Sequence, residues 1–168
     1  MFDFLSMISS PQAIIITAIF LATAIPCWGS AKGVGIVGQA GAGLLSEDPN
    51  MFGKVLVLQA LPMTQGIYGF ITSFMVMVFT GIVGGTFMSA NISYATAGYY
   101  FFACMPITVV GYISAVHQAK VSAAGISMIA KQKDQVVKAM TSAALVETYA
   151  IFSLLVSLLL ILFNGQVA

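Results

Sequence analysis

The chain consists of four long apolar segments separated by short polar or glycine-rich joints. The segments cover about residues 11–45, 51–80, 94–130 and 135–163. Each is longer than the roughly 20 residues that a helix needs to cross a bilayer. An open sheet would leave backbone groups unpaired in lipid, and the alternation typical of a membrane barrel strand is absent. The pattern therefore predicts an all-α membrane protein with four transmembrane helices.

Composition and charge indicate which kinds of partner the chain can bind. Hydrophobic residues make up 60% of the 168 residues and charged residues only 7%, whereas soluble domains carry roughly a quarter charged residues. The net charge is +1, and no arginine is present to read bases or phosphates. We therefore expect contact with membrane lipid and no binding of nucleic acid.

The lysines indicate how the chain is oriented. They lie in or beside two polar turns, 46–50 and 131–134, and they are Lys32, Lys54, Lys120, Lys131, Lys133 and Lys138. The positive-inside rule places lysine-rich turns in the cytoplasm. We therefore expect a multi-pass protein of the cell membrane, with both termini and the 81–93 connection on the outer side.

The second half of the chain repeats the first. On the helix before each polar turn, the residues 31–34 (AKGV) resemble 119–122 (AKVS). After each turn, 63–67 (MTQGI) aligns with 147–151 (ETYAI). The two offsets differ by four residues, which the longer first turn absorbs.

Such a repeat predicts two tandem helical hairpins in the same orientation. We expect residues 1–82 to form the first transmembrane hairpin and residues 83–168 the second. Only the second hairpin carries a carboxylate within its repeated motif, Glu147, where the first has Met63.

A polar stripe interrupts the second apolar segment. Leu61, Thr64, Gln65 and Tyr68 are spaced i, i+3, i+4 and i+7, so they share one face of a helix. Because polar groups facing hydrocarbon are costly, this face must meet protein, water or an ion. Pro62 cannot donate a backbone hydrogen bond, so we expect a local kink and less committed carbonyl groups.

Glu147 is the residue with the most direct functional implication. An ionised carboxylate in mid-membrane costs roughly 2.5–3.5 kcal/mol on insertion scales, and such residues commonly mark an ion path. Gln118 and Glu147 are equally far from the second turn, so an antiparallel hairpin brings them to the same depth. A hard monovalent cation prefers several oxygens and about one negative charge. The residues therefore predict a site for Na⁺, although neutral oxygens could instead hydrogen-bond a protonated Glu147.

A glycine pattern in the first segment has two interpretations. Residues 33–38 match G-x-G-x-x-G, but that nucleotide-binding fingerprint requires a preceding strand and a later acidic residue. Here it lies within a predicted membrane helix, where small residues let helix backbones approach closely. Helix packing is the interpretation that the context favours.

Taken together, residues 61–70, 118–126 and 146–151 resemble the proteolipid (K or c) subunit of bacterial V-type rotary ATPases. The pattern is most similar to that of the Na⁺-transporting enzymes, and it covers nearly the whole chain. The resemblance implies a homo-oligomeric ring that rotates in the membrane. It further implies a stator membrane subunit bearing an arginine, and a central-stalk subunit at the cytoplasmic turns. ATP hydrolysis would occur on other subunits, so no catalytic residue is expected here.

The resemblance also implies the residues that hold the transported ion. They would be the Leu61 backbone carbonyl, the side chains of Thr64, Gln65 and Gln118, and the Glu147 carboxylate. Tyr68 would hydrogen-bond Glu147 and close the site. Met63 and Ala119 stand where the family often has glycine, so we expect the packing beside the site to differ from that in the family.

Three alternatives remain open from the sequence. The same ring could translocate H⁺ in place of Na⁺. A small four-helix drug or cation antiporter would instead be a dimer with a carboxylate among aromatic residues of its first helix. A purely structural pore or junction protein would leave Glu147 and Gln118 unexplained.

Overall fold

The computed structural model describes residues 9–163, which form helices and turns without any strand. In chain order the α-helices are α1 (Pro11–Glu47), α2 (Phe52–Ala60), α3 (Thr64–Phe79), α4 (Tyr94–Lys131) and α5 (Val136–Leu162). They form four spans long and apolar enough to cross a membrane: Pro11–Glu47, Pro49–Phe79, Tyr94–Lys131 and Lys133–Leu162. The predicted all-α fold with four transmembrane helices is confirmed.

The second span is interrupted where the sequence predicts a kink. A 3₁₀ turn, Leu61–Met63, separates α2 from α3. Pro62 has no backbone N–H and cannot continue the α-helical ladder. In the tighter turn the Leu61 carbonyl accepts a hydrogen bond from the backbone N–H of Thr64, three residues later. The interruption therefore lies directly beside the polar stripe.

Close contact between α1 and α4 forms the centre of the bundle. A Cβ added to Gly29 would lie 2.8 Å from the Cα of Tyr112, and one added to Gly33 would lie 3.1 Å from the Ala115 carbonyl oxygen. Only glycine permits this approach of two backbones. Helix packing thus explains part of the glycine pattern, but Gly35 has no neighbour within 4 Å of an added Cβ.

Both polar turns lie at one end of the bundle. Lys133 forms an ion pair with Asp48 in the other turn, and Lys54 Nζ donates to the Lys133 carbonyl oxygen over 2.6 Å. The hydrogen bond from Lys133 favours the ionised form of Asp48 and holds its pKa below the ordinary value. The two turns therefore face the same side of the membrane.

The 81–93 connection lies near the start of α1. Tyr94 donates its hydroxyl to the Ser9 carbonyl oxygen (2.9 Å), and Gln12 Nε2 donates to the Ala90 carbonyl oxygen (3.3 Å). This end of the bundle is opposite the polar turns, because each span crosses the bundle once. The predicted outer location of the chain termini concerns residues 1–8 and 164–168, which lie outside the described residues.

Candidate ion-binding site

Glu147 lies within α5 and is held by two neutral donors from other spans. The Tyr68 hydroxyl of α3 donates to Glu147 Oε1 over 2.6 Å. Gln118 Nε2 of α4 donates to Glu147 Oε2 over 3.2 Å. Gln118 and Glu147 are equally far from the second turn in sequence, and in the structure their side chains are in direct contact. Each carboxylate oxygen accepts one hydrogen bond, but neither faces a cationic side chain among residues 9–163.

Gln65 extends this cluster into the protein interior. Its side chain is completely buried, and its Nε2 donates to Gln118 Oε1 over 2.6 Å. Its own Oε1 has no hydrogen-bond partner among residues 9–163. A buried acceptor left unpaired costs about 1–3 kcal/mol. Gln65 Oε1 is therefore an oxygen ready to accept a further donor or a cation.

Ser114 belongs to the cluster although it was not among the predicted site residues. Its hydroxyl accepts from Gln65 Nε2 (3.3 Å) and donates to the Val146 carbonyl oxygen (3.1 Å). The available signal was its spacing, because Ser114 precedes Gln118 by four residues and so shares its helix face. Its hydrogen bonds tie α3, α4 and α5 together beside the carboxylate.

Leu61 and Thr64 form a second group of oxygens at the 3₁₀ turn. The Thr64 hydroxyl donates to the Leu61 carbonyl oxygen over 3.1 Å. Thr64 precedes Tyr68 by four residues, so this pair lies on the same helix face as the Tyr68 side chain that reaches Glu147. Neither Leu61 nor Thr64 is hydrogen-bonded directly to Glu147. Of the six predicted site residues, four form one continuous chain of hydrogen bonds, and these two adjoin it through Tyr68.

The charge of Glu147 has no balancing cation within the described residues. The one ion pair there joins Lys133 to Asp48 at the polar turns. The Tyr68 hydroxyl and the Gln118 amide are neutral groups, which can orient a carboxylate but cannot neutralise it. An external cation or a proton must supply the missing positive charge if Glu147 is to face a membrane interior.

Met63, at the repeat position of Glu147, does not enter this cluster. Its side chain is 50% exposed and lines a groove between the first two spans. Its backbone carbonyl accepts a hydrogen bond of 3.4 Å from Ser30. The bulky Met63 side chain therefore belongs to a surface of the first hairpin and takes no part in the hydrogen bonds of the carboxylate.

Fold and site together define a four-span membrane protein with an internal repeat and one carboxylate where the two halves meet. The family model of the ATP synthase C-subunit matches twice, over residues 17–76 and 101–160. The chain therefore belongs to the ATP synthase C-subunit family, and it is a multi-pass membrane protein.

Two curated relatives agree with this assignment. The chain is 38% identical over 162 residues to the V-type sodium ATPase subunit K of Enterococcus hirae, covering 96% of this chain and 99% of that protein. It is 36% identical over 149 residues to the A-type ATP synthase subunit K of Methanocaldococcus jannaschii, covering 87% of this chain and 61% of that protein. The resemblance to the proteolipid subunit of V-type ATPases is confirmed.

Proposed function

We propose that this chain is the ion-carrying rotor subunit of a V-type ATPase, that many copies form a ring, and that each copy carries one Na⁺ on Glu147. The observation that carries the proposal is the membrane-embedded Glu147 carboxylate, which has two neutral hydrogen-bond donors and no cationic partner among the described residues. A monovalent cation would make the site neutral overall. The name of the Enterococcus hirae relative, a sodium ATPase subunit, supports Na⁺ as that cation.

The neutral oxygens around Glu147 support Na⁺ over H⁺. A proton needs only the carboxyl group, whereas a hard metal cation needs several oxygen ligands. The ligands we propose are the Leu61 carbonyl, the side-chain oxygens of Thr64, Gln65 and Gln118, and the Glu147 carboxylate. The buried Gln65 Oε1, which has no partner among residues 9–163, is an oxygen that a cation would satisfy.

Gln118 needs a change of orientation to act as a ligand. At present its nitrogen faces Glu147 and its oxygen accepts from Gln65. Turning both amides over together preserves their mutual hydrogen bond, which Gln118 Nε2 then donates to Gln65 Oε1, and brings the Gln118 oxygen towards the carboxylate. Because an amide oxygen has two lone pairs, Gln65 Oε1 keeps one for the ion. Such a rotation moves no backbone atom, and the amide oxygen and nitrogen have nearly the same size. Tyr68 keeps its hydrogen bond to the other carboxylate oxygen and closes the site.

In the proposed cycle, the ion-loaded site is neutral and passes through lipid as the ring rotates. At the stator membrane subunit, an arginine of that protein displaces the ion from Glu147. The polar turns, which we place in the cytoplasm, bind a central-stalk subunit. ATP hydrolysis on other subunits drives the rotation, and this chain itself catalyses no reaction.

The number of carboxylates favours ATP-driven pumping. Four spans share one membrane carboxylate, because Met63 replaces it in the first hairpin. Moving one charge against the membrane potential costs about 2.3 kcal/mol per 100 mV. A ring that carries fewer ions per turn can therefore work against a steeper gradient for the same number of ATP molecules.

Carbodiimide labelling of Glu147 tests the choice of ion. The reagent modifies protonated carboxyl groups, so bound Na⁺ should protect Glu147 at fixed pH. We expect labelling to fall as NaCl replaces choline chloride at constant ionic strength. The Glu147→Gln variant should remain unlabelled in both salts, which assigns the signal to this residue. Equal labelling in NaCl and choline chloride would reject Na⁺ and leave H⁺ as the transported ion.

Native mass measurement tests the ring itself. We expect the detergent-purified protein to contain many identical copies. A dimer would contradict the rotor assignment and would agree with the antiporter alternative.

A further inference from the structure

Ser122 of α4 carries a buried hydroxyl group that the candidate ion site does not use. The residue is completely buried, and its Oγ has no hydrogen-bond partner among residues 9–163. On the same helix, the hydroxyl of Thr108 donates to the carbonyl oxygen of Cys104, four residues earlier, over 2.8 Å. Ser122 makes no such contact with its own helix. Because it follows Gln118 by four residues, it shares the helix face through which Gln118 reaches Gln65 of the second span.

The 3₁₀ turn of the second span packs against α4 on this face. A Cβ added to Gly33 would lie 2.8 Å from the Cβ of Pro62 and 3.2 Å from the Cβ of Ala119. Pro62 and Ala119 are therefore neighbours. In the chain they stand directly beside Leu61 and Gln118, which are two of the proposed ion ligands.

Ser122 lies about one helical turn from this contact, on the side of the polar turns. There a Cβ added to Gly125 would lie 3.6 Å from Leu58 Cδ1. The contact between the two antiparallel spans thus moves from Pro62 to Leu58 as α4 proceeds from Ala119 to Gly125. Since Ser122 is midway between Ala119 and Gly125, it faces the stretch between Leu58 and Pro62.

This stretch contains a backbone carbonyl that has lost its usual donor. In a continuous α-helix the Leu58 carbonyl would accept from the N–H of residue 62, but Pro62 has no N–H group. Leu58 is completely buried, so bulk water does not reach it. The Ser122 hydroxyl and the Leu58 carbonyl are thus a donor and an acceptor at one level of the bundle. Buried polar groups of this kind commonly hold an ordered water.

We infer that Ser122 is a positioning residue of the ion site. Its hydroxyl and the Leu58 carbonyl hold one buried water against the 3₁₀ turn, and this water fixes the Leu61 carbonyl in the orientation that binds Na⁺. The water donates a hydrogen bond to the Leu58 carbonyl and accepts one from the Ser122 hydroxyl. A bridging water is nearly as favourable as a direct hydrogen bond. The inference rests on the proposed function, in which Leu61 is an ion ligand.

The bridging water should affect the binding of Na⁺ and not the binding of a proton. Na⁺ needs several oxygens at fixed positions, among them the Leu61 carbonyl, whereas a proton needs only the Glu147 carboxyl group. The two hydrogen bonds that Glu147 accepts come from Tyr68 and Gln118, and neither donor belongs to the 3₁₀ turn. Loss of the Ser122 hydroxyl should therefore weaken Na⁺ binding and leave protonation of Glu147 unaltered.

The Ser122→Ala variant of the full-length chain tests the inference by two measurements. In membranes, the NaCl concentration that half protects Glu147 from carbodiimide should rise about two- to tenfold, the effect of losing one neutral hydrogen bond. The pH of half-maximal labelling in choline chloride should stay at the wild-type value. After purification, the variant should unfold at a lower temperature than wild type. Removal of a hydroxyl that truly has no partner would instead be neutral or stabilising.

Ser157→Ala is the matched control. Ser157 is also completely buried, and its Oγ accepts a hydrogen bond from the backbone N–H of Ile107 over 3.3 Å. It lies ten residues beyond Glu147 in α5, which is about 15 Å along the helix. We expect Ser157→Ala to unfold at a lower temperature but to keep the wild-type half-protecting NaCl concentration.

The outcomes separate this inference from the proposed function. A Ser122→Ala variant that unfolds earlier and needs more NaCl, with an unchanged pH of half-maximal labelling, supports the inference. An unchanged or higher unfolding temperature, an unchanged half-protecting NaCl concentration, a shifted pH of half-maximal labelling, or an equal NaCl shift in Ser157→Ala overturns it and leaves the proposed function intact. Equal labelling of the wild type in NaCl and choline chloride overturns the proposed Na⁺ function, and with it the role of Ser122.

Discussion

Removal of the Tyr68 hydroxyl isolates one hydrogen bond of the carboxylate without leaving a cavity. The hydroxyl donates to Glu147 Oε1 over 2.6 Å, and the Tyr68→Phe variant loses that donor alone. A hydrogen bond to a charged group contributes about 1.5–3 kcal/mol. This stabilisation applies to the ionised carboxylate, which is the form that binds Na⁺, and not to the protonated form. At 1.4 kcal/mol per factor of ten, loss of this hydrogen bond should raise the NaCl concentration needed to occupy the site by about 10- to 150-fold.

The expected result is a matching rise in the NaCl concentration that protects Glu147 from carbodiimide at fixed pH. Membranes containing the wild type and the Tyr68→Phe variant are titrated with NaCl, with choline chloride added to constant ionic strength. We expect the half-protecting concentration to increase at least tenfold in the variant.

Tyr99→Phe is the matched control for this titration. Its hydroxyl donates to the Leu160 carbonyl oxygen over 2.9 Å, and neither residue belongs to the candidate ion site. The same chemical change there should leave the half-protecting concentration unaltered. An unchanged titration in Tyr68→Phe, or an equal shift in Tyr99→Phe, would refute the role assigned to Tyr68.

Three further substitutions test other parts of the molecule. Gln118→Leu removes a donor to Glu147 and the acceptor of the 2.6 Å hydrogen bond from buried Gln65. Because this loss costs about 1–3 kcal/mol, we expect the variant to unfold at a lower temperature and to show weaker Na⁺ protection of Glu147. Gly33→Ala would place its Cβ 2.8 Å from the Cβ of Pro62, and this overpacking should destabilise the purified protein by about 1–3 kcal/mol. The control variant Gly35→Ala, whose Cβ would have no neighbour within 4 Å, should not change the thermal unfolding. Asp48→Asn should unfold at a slightly lower temperature than wild type at pH 7. This difference should vanish as the pH falls below 3.8, because Lys133 stabilises only the ionised form of Asp48 and so lowers its pKa. A difference in unfolding temperature that persists in acid would contradict this ion pair as the cause.

Local sequence patterns were sufficient for the helices and for part of the site. The length of the apolar segments predicts four spans because a bilayer sets a minimum length for any helix that crosses it. Pro62 predicts the interruption before α3 because it lacks an N–H group. The contact between Gln118 and Glu147 was also predictable, since two residues equally far from a short turn lie side by side in an antiparallel pair of helices.

Contacts between the hairpins could not be obtained in the same way. Helical periodicity puts Thr64, Gln65 and Tyr68 on one stripe, but the structure gives them different partners. Gln65 is buried against Gln118 and Ser114, while Tyr68 reaches Glu147. These distinctions depend on the rotation of one hairpin against the other, which periodicity along a single helix does not specify.

By itself, the sequence determined four apolar spans, an internal repeat and a single carboxylate within the repeated motif. Only the tertiary structure decided which copy of each repeated position is covered. Gln65 is fully buried, whereas its counterpart Tyr149 is 66% exposed. The physical reason is that similar local sequences form similar helices, but burial depends on which surface lies opposite. For Gln65 that surface is the face of α4 that carries Ser114 and Gln118.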